Sequence, residues 1–403
     1  MTAQAGPATR PPSLAVRVAV RNQVLLVLVI VAAAAAVTTG FLVVAPNRLI
    51  SGRSIALWSA AGGGPTVAIG VLGALLLAAS LSPPAKPLYC AVAVLASLLL
   101  LVVLATLGQA SRSIAAGASP AARASPGAAF WIIATCAALA VIDALQRLGA
   151  GSLWRVMAVI AIGGGIVIMA MAGTFDTLSI AREYASRHQL FAEAVTRHMA
   201  LVGGSVGPAL LIGVPLGVAA IRTRRLQGPL FAVLNTLQTV PSIALFGLLI
   251  APLSALVAAA PFFAGLGVGG IGPAPAIVAL VLYALLPIVR NTVAGLAGVD
   301  HAVIEAARGM GLTGRQILWR IELPLALPVL LAGLRIVIVQ TIGLAVVAAL
   351  IGAGGLGTFV FEGLGQYALD LVLLGALPTI FMALAADFLL QTLAALLPGR
   401  APG

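Results

Sequence analysis

Lysine is nearly missing from this 403-residue sequence. Of its 22 basic residues all but Lys86 are arginine, and Lys86 stands in a Ser-Pro-Pro-Ala-Lys-Pro run. A GxxxxGK[ST] phosphate loop is therefore excluded, and with it the usual way of holding ATP. Charge of either sign is scarce, 8% against about 25% in water-soluble chains. Two cysteines, Cys90 and Cys136, both inside apolar runs, are too few for a disulfide framework or a metal site and read as buried or lipid-facing residues. The three histidines fare no better. His188 and His198 have no companion cysteine, with His301 on the other predicted membrane face, and the two read as solvated helix residues. No Ser-His-Asp or Cys-His arrangement is visible, so an enzymatic role and a cofactor in this chain are not expected. Aromatics are few and the basic residues scattered, which sets nucleic acid aside despite a net charge of +12.

What is abundant is apolar: 62% of the chain. Such a surface must face lipid over most of its area. Runs long enough to span a bilayer lie near 24–45, 64–81, 88–108, 128–145, 154–173, 198–220, 229–252, 275–291, 327–350 and 371–396. The expected fold is an all-α integral membrane protein of about ten transmembrane helices. The first run follows Arg10, Arg17 and Arg21 as a signal peptide would, but its length predicts an uncleaved first span. With the N-terminus inside, fifteen basic residues fall on the cytoplasmic side, Arg335 and Arg400 among them. Seven fall outside, including Arg48, Arg187 and Arg197. That obeys the positive-inside rule and returns the C-terminus to the cytoplasm.

A polar stretch, 174–197, divides the chain and predicts an amphipathic helix at the outer interface. It separates an N-terminal extension of about five spans (1–173) from a C-terminal core of about five (198–397). In the extension Asp143 stands four residues before Arg147, a helical ion pair rather than a transport group. In the core, Gly203, Gly207, Gly213 and Gly217 form two small-xxx-small pairs, and Pro208 and Pro215 imply bends. Asn235, Gln238, Thr239 and Ser242 recur at i, i+3, i+4 and i+7 on one predicted helix face, either polar glue or the lining of a substrate path. Gln340 and Thr341 are a second, weaker candidate lining, and Asp387 is ambiguous. The runs 267–272 and 352–357 satisfy GxGxxG, yet neither has the strand, helix and acid of a dinucleotide site, so both read as tight outer turns.

A further charged segment lies between two spans, at 305–324: EAARGMGLTGRQILWRIELP. Glu305-Ala306-Ala307, three residues, Gly311, nine residues, Ile321, one residue and Leu323-Pro324 resemble the EAA loop of binding-protein-dependent ABC importer permeases. The likeness extends through IGVPLG at 212–217, LNTLQTVPSIALFGLL at 234–249, ALVLYALLPIVRNT at 279–292 and IGAGGLG at 351–357. Together these are similar to the osmoprotectant (glycine betaine, choline, carnitine) branch, with an N-terminal multi-span extension that the shortest members lack. The resemblance implies a type I ABC importer permease core in the C-terminal half, with a cytoplasmic coupling loop at 292–326. In that loop Glu305, Ala306, Ala307, Arg308, Gly311, Ile321, Leu323 and Pro324 would meet an ATPase. Pro324 is expected to end the helical stretch before it.

The resemblance also implies the company the chain keeps. ATP and Mg would sit on separate ATPase subunits, an extracytoplasmic binding protein would choose the solute, and a second permease copy or homologue would complete the path in the bacterial inner membrane. A permease for another small polar solute, such as an amino acid, is the alternative within this class. An ion-coupled secondary transporter should show inverted repeats with paired intramembrane acids, and none is visible.

Overall fold

In lipid a backbone must satisfy its own hydrogen bonds, so each apolar run folds as a helix until a residue forbids it. The computed structural model describes residues 21–396 except 48, 49, 51, 118, 120 and 266. Arg10, Arg17, Arg48 and Arg400, used above for topology, lie outside the described residues, as do both termini. The contacts divide the chain into two units, Met1–Thr177 and Leu178–Gly403.

The first unit begins with α1 (Gln23–Thr38), capped by Asn22, whose side chain accepts from the Leu25 N–H at 3.1 Å. The first apolar run continues to residue 45, but the helix stops at Thr38. Past Gly40 the chain turns into β1 (Leu42–Ala45), which pairs antiparallel with β2 (Arg53–Ile55) and β3 (Arg123–Pro126) in the order β2-β1-β3. The β-branched Val43 and Val44 suit a strand. Backbone crowding requires the glycines beside it, since a Cβ on Gly127 would lie 2.2 Å from the Gly40 carbonyl oxygen. The short α2 (Leu57–Ala61) leads into α3 (Gly63–Leu81) and α4 (Lys86–Ala115), and α5 (Ala128–Arg147) and α6 (Ser152–Met171) follow β3. α5 packs between α1 and α4. Asp143 accepts from Arg147 Nε at 2.8 Å, as its spacing predicts, and from Asn22 Nδ2 at 3.1 Å. None of Leu153–Met171 is buried.

The second unit is built on α11 (Pro273–Ala297), its most buried spanning helix, packed between α7 (Ser179–Arg222) and α14 (Leu323–Val347). α7 fuses the amphipathic connector to the first core span. Its only non-helical residue is Arg187, with φ −129° and ψ 25°, so Pro208 and Pro215 do not break it. Gly213 and Gly217 let α11 come close: a Cβ at these positions would lie 2.7 Å from Ile288 and 2.5 Å from Thr292. The other small-residue pair, Gly203 and Gly207, faces open space.

The predicted span 229–252 is two helices, α8 (Arg224–Thr239) and α9 (Ser242–Ala259), followed by the short α10 (Phe262–Gly265). Pro241 has no N–H and forces Val240 into an extended conformation, φ −69° and ψ 128°. After α11 come α12 (His301–Gly309), α13 (Gly314–Ile317), a π-helical turn (Leu318–Glu322) and α14. A 3-10 turn (Ala348–Ile351), α15 (Gly357–Gly365) and α16 (Leu369–Leu396) complete the chain. Among the described residues nine helices are long and apolar enough to cross a membrane, and the apolar α1 is a shorter tenth.

Candidate functional site

The coupling segment begins where Asp300 caps α12, accepting from the Ala302 N–H at 2.9 Å. One turn of this helix carries the Glu305-Ala306-Ala307 triplet, and its sides differ. Ala307 is fully buried, while Glu305, Ala306 and Arg308 are exposed, so the inward residue is small and the outward ones are polar or slim. Glu305 lies 3.3 Å from His301 Nδ1, a contact open to solvent. The helix ends in a Schellman cap: the Gly311 N–H donates to the Arg308 carbonyl at 2.9 Å and the Leu312 N–H to that of Ala307 at 3.1 Å. This cap needs a left-handed residue, and Gly311 supplies it with φ +81°. A capping box between Thr313 and Gln316 restarts the helix two residues later.

Pro324 does not end the helical stretch before it. Gly314 to Ile351 runs on as one rod, with Pro324 in the first turn of α14. The widened π turn at Leu318–Glu322, where the Leu323 N–H reaches back to the Leu318 carbonyl, accommodates the ring and the missing donor. Ile317 is buried, Ile321 and Leu323 half-buried, and Pro324 exposed. Val303, Met310 and Trp319 leave apolar surface open, Met310 at 72% and Trp319 at 64%.

Two charged groups far apart in the sequence meet here. Glu322, at the end of the π turn, is 4% exposed and paired with Arg222, the last residue of α7. A carboxylate so enclosed needs its cation, so this pair binds the base of the coupling segment to α7. No periodicity signals it, because a hundred residues separate the partners.

The candidate path residues do not share one helix. Asn235, Gln238 and Thr239 stay on α8, whereas Ser242 opens α9 beyond the Pro241 break. Asn235 Oδ1 accepts from Arg290 at 3.0 Å, and Gln238 Nε2 donates to the Tyr283 carbonyl at 2.8 Å, so both face α11. Thr239 turns back to the Thr236 carbonyl at 2.7 Å. Tyr283 in turn donates its hydroxyl to the Val240 carbonyl, an acceptor left open where α8 ends before Pro241. Gln340 is half-buried and Thr341 buried on α14, which lies against α11 as α8 does.

Two further positions depart from expectation, and two turns meet. Arg335, counted above with the cytoplasmic edge, stands about 18 Å along α14 from Leu323 at 1.5 Å per residue, and its guanidinium clasps Asp387 of α16. Length of apolar run cannot distinguish a charge at a span's edge from one paired within it. His198 is not solvated but fully buried, its Nε2 3.1 Å from the Ile342 carbonyl. The two glycine runs, separate in sequence, touch: the Gly272 N–H donates to the Ile351 carbonyl at 2.8 Å, and Gly352, Gly354 and Gly355 all have positive φ. Among the described residues no group of three His, Cys, Asp or Glu side chains is placed to hold a metal.

Helices of membrane length, two of them joined by a polar segment that presents a capped helix, mark a polytopic membrane protein. A family model for binding-protein-dependent transport system inner membrane components matches residues 209–400, and one for the N-terminal domain of the ABC transporter permease YehY matches 20–181. The osmoprotectant import permease protein OsmW of Salmonella typhimurium is 43% identical over 49% of this chain and 86% of its own length. The carnitine transport permease protein OpuCB of Listeria monocytogenes is 40% identical over 49% and 83%, and the choline transport system permease protein OpuBD of Bacillus subtilis 36% over 52% and 86%. Among solved structures, an inward-facing MetNI methionine ABC transporter chain is 25% identical over 52% of this chain and 96% of its own, with a TM-score of 0.46. The chain belongs to the family of binding-protein-dependent ABC importer permeases, multi-pass proteins of the inner membrane, and is not itself an enzyme.

Proposed function

We propose that this permease carries small osmoprotectants of the glycine betaine, choline and carnitine class across the inner membrane, driven by ATP on separate subunits. Relatives at 36–43% identity whose names specify an osmoprotectant, carnitine, choline or glycine betaine support the substrate class. The observation that carries the coupling role is α12, with Glu305, Ala306 and Arg308 presented outward on a helix whose ending Gly311 sets. In this reading two ATPase subunits, holding ATP and Mg, receive α12 in a groove. Ile321, Leu323 and Pro324 then pass the movement through the π turn into α14, and the Arg222–Glu322 pair passes it into α7. A second permease copy or homologue completes the path, and an extracytoplasmic binding protein selects the solute. Asn235, Gln238, Thr239, Ser242, Gln340 and Thr341 are the candidate lining.

The same reading places both termini in the cytoplasm, five spans in 1–173, the outer connector at 174–197 and the core at 198–397. Purifying the chain with its co-encoded partners and titrating radiolabelled glycine betaine tests it. Betaine binding by the binding protein, with betaine-stimulated ATP hydrolysis by the assembly, is the expected result. Hydrolysis stimulated by an amino acid instead would leave the importer and change the solute.

A further inference from the structure

We propose that a cleft formed by the first half of α7, the 352–355 turn and α15 is a binding site on the permease itself for a small zwitterion, an anionic group a few bonds from an ammonium. The inference rests on the zwitterionic members of the solute class proposed above, glycine betaine and carnitine, and adds for them a second place of recognition, separate from the binding protein.

The cleft is an open groove of about 480 Å3, within the range of small-ligand sites. Its walls carry both signs of charge: Arg187, Glu193 and Arg197 from α7 and Glu362 from α15. Two of these are already engaged. Arg187, at the kink of α7, reaches Glu183 at 2.7 Å and Glu362 at 2.8 Å. The other two are not joined. Glu193 and Arg197 stand one helical turn apart, a spacing at which such residues pair readily. Arg197 instead donates its Nε to the Ala353 carbonyl at 3.0 Å, where Gly354 leaves room: a Cβ there would lie 3.2 Å from Arg197 Cγ. The glycine turn thus holds Arg197 away from its natural partner and leaves a carboxylate and the terminal guanidinium nitrogens open on one cleft.

That arrangement discriminates by charge pattern. An ion of one sign gains from one wall group and is repelled by the other, whereas a zwitterion engages both. Leu190 and Phe359 add apolar wall for methyl groups. Behind the turn lies a second unfilled contact: a Cβ at Gly355 would lie 3.2 Å from Nδ1 of buried His198, and that nitrogen has no hydrogen-bond partner. Buried polar atoms of this kind are rare.

The test uses the full permease assembled with its ATPase subunits in lipid nanodiscs, without binding protein, titrated with radiolabelled glycine betaine. Saturable binding is expected, weakened about tenfold by Glu193→Gln and by Arg197→Gln, the usual loss for one charge-assisted contact. Choline, with the cation alone, and acetate, with the anion alone, should compete poorly. Binding present in phosphatidylglycerol bilayers and lost on adding phosphatidylethanolamine keeps the zwitterion site and makes the lipid headgroup its occupant. Binding that is absent in both bilayers, or unchanged in both variants while they still assemble, overturns the site. Adding binding protein to the same nanodiscs tests transport separately. Betaine-stimulated hydrolysis without cleft binding removes only the cleft, and cleft binding without stimulated hydrolysis removes the transport reading.

Discussion

Glu322 shows how a single residue changes meaning between sequence and fold. Read in line it is one more loop charge; in the structure it is buried beside Arg222. Removing one partner of a fully enclosed pair costs about 3–5 kcal/mol, and less here because Arg222 is 44% exposed. Arg222→Ala is expected to lower the thermal midpoint and to let ATP hydrolysis run without solute, while exchanging the two charges restores part of both. A variant with an unchanged ratio of ATP hydrolysed to solute moved would remove the pair from coupling. Gly311 was legible from residue type alone, since a left-handed turn selects glycine. Gly311→Val should cost roughly 1–2 kcal/mol at the cap and impair solute-stimulated hydrolysis, with membrane insertion intact. Normal stimulation in that variant would show that the turn is not needed.

Among the elements, apolar runs announced the spans and left their breaks unannounced. The 229–252 run contains Pro241, yet Pro208 and Pro215 lie in an equally apolar run without breaking α7. The difference is a partner: the Tyr283 hydroxyl takes the Val240 carbonyl, and Gln238 takes the Tyr283 carbonyl, so the break is stabilised from α11. Gln238→Leu should therefore loosen α8 from α11 and alter uptake. The cost is about 1–3 kcal/mol for a polar group left unpaired, measurable as faster protease cleavage near residue 240. Uptake kinetics identical to wild type would demote this face to packing. On α7, Gly217→Leu would force a side chain into Thr292, already 2.5 Å from the Cβ position. A loss of about 1–3 kcal/mol is expected, read as a lower midpoint, whereas Gly207→Leu, facing open space, should leave it unmoved.

Across the whole molecule, residues assigned to one side of the membrane by charge counting meet one another. Arg222 at the end of α7 reaches the coupling segment, and Arg197, near its middle, reaches the glycine turn that adjoins 267–272. The transport family's match, 209–400, lies inside the second unit, and about half of this chain covers 86% of OsmW. A chain beginning at Leu178 is therefore expected to insert and to assemble with the ATPase subunits, measured by co-purification from membranes. Failure to co-purify would make the first unit part of the assembly surface.

The amino-acid sequence by itself determined the medium, the approximate number of spans and the family. Each follows from local quantities: apolar run length, arginine placement, and the spacing of Glu305, Gly311 and Pro324. Tertiary structure alone decided which polar residues are paired and which are open. Burial of Glu322 and His198, the Arg335–Asp387 pair and the diversion of Arg197 to Ala353 each depend on a partner 52 to 156 residues away. Only packing brings such partners within hydrogen-bond reach, and no local period encodes them.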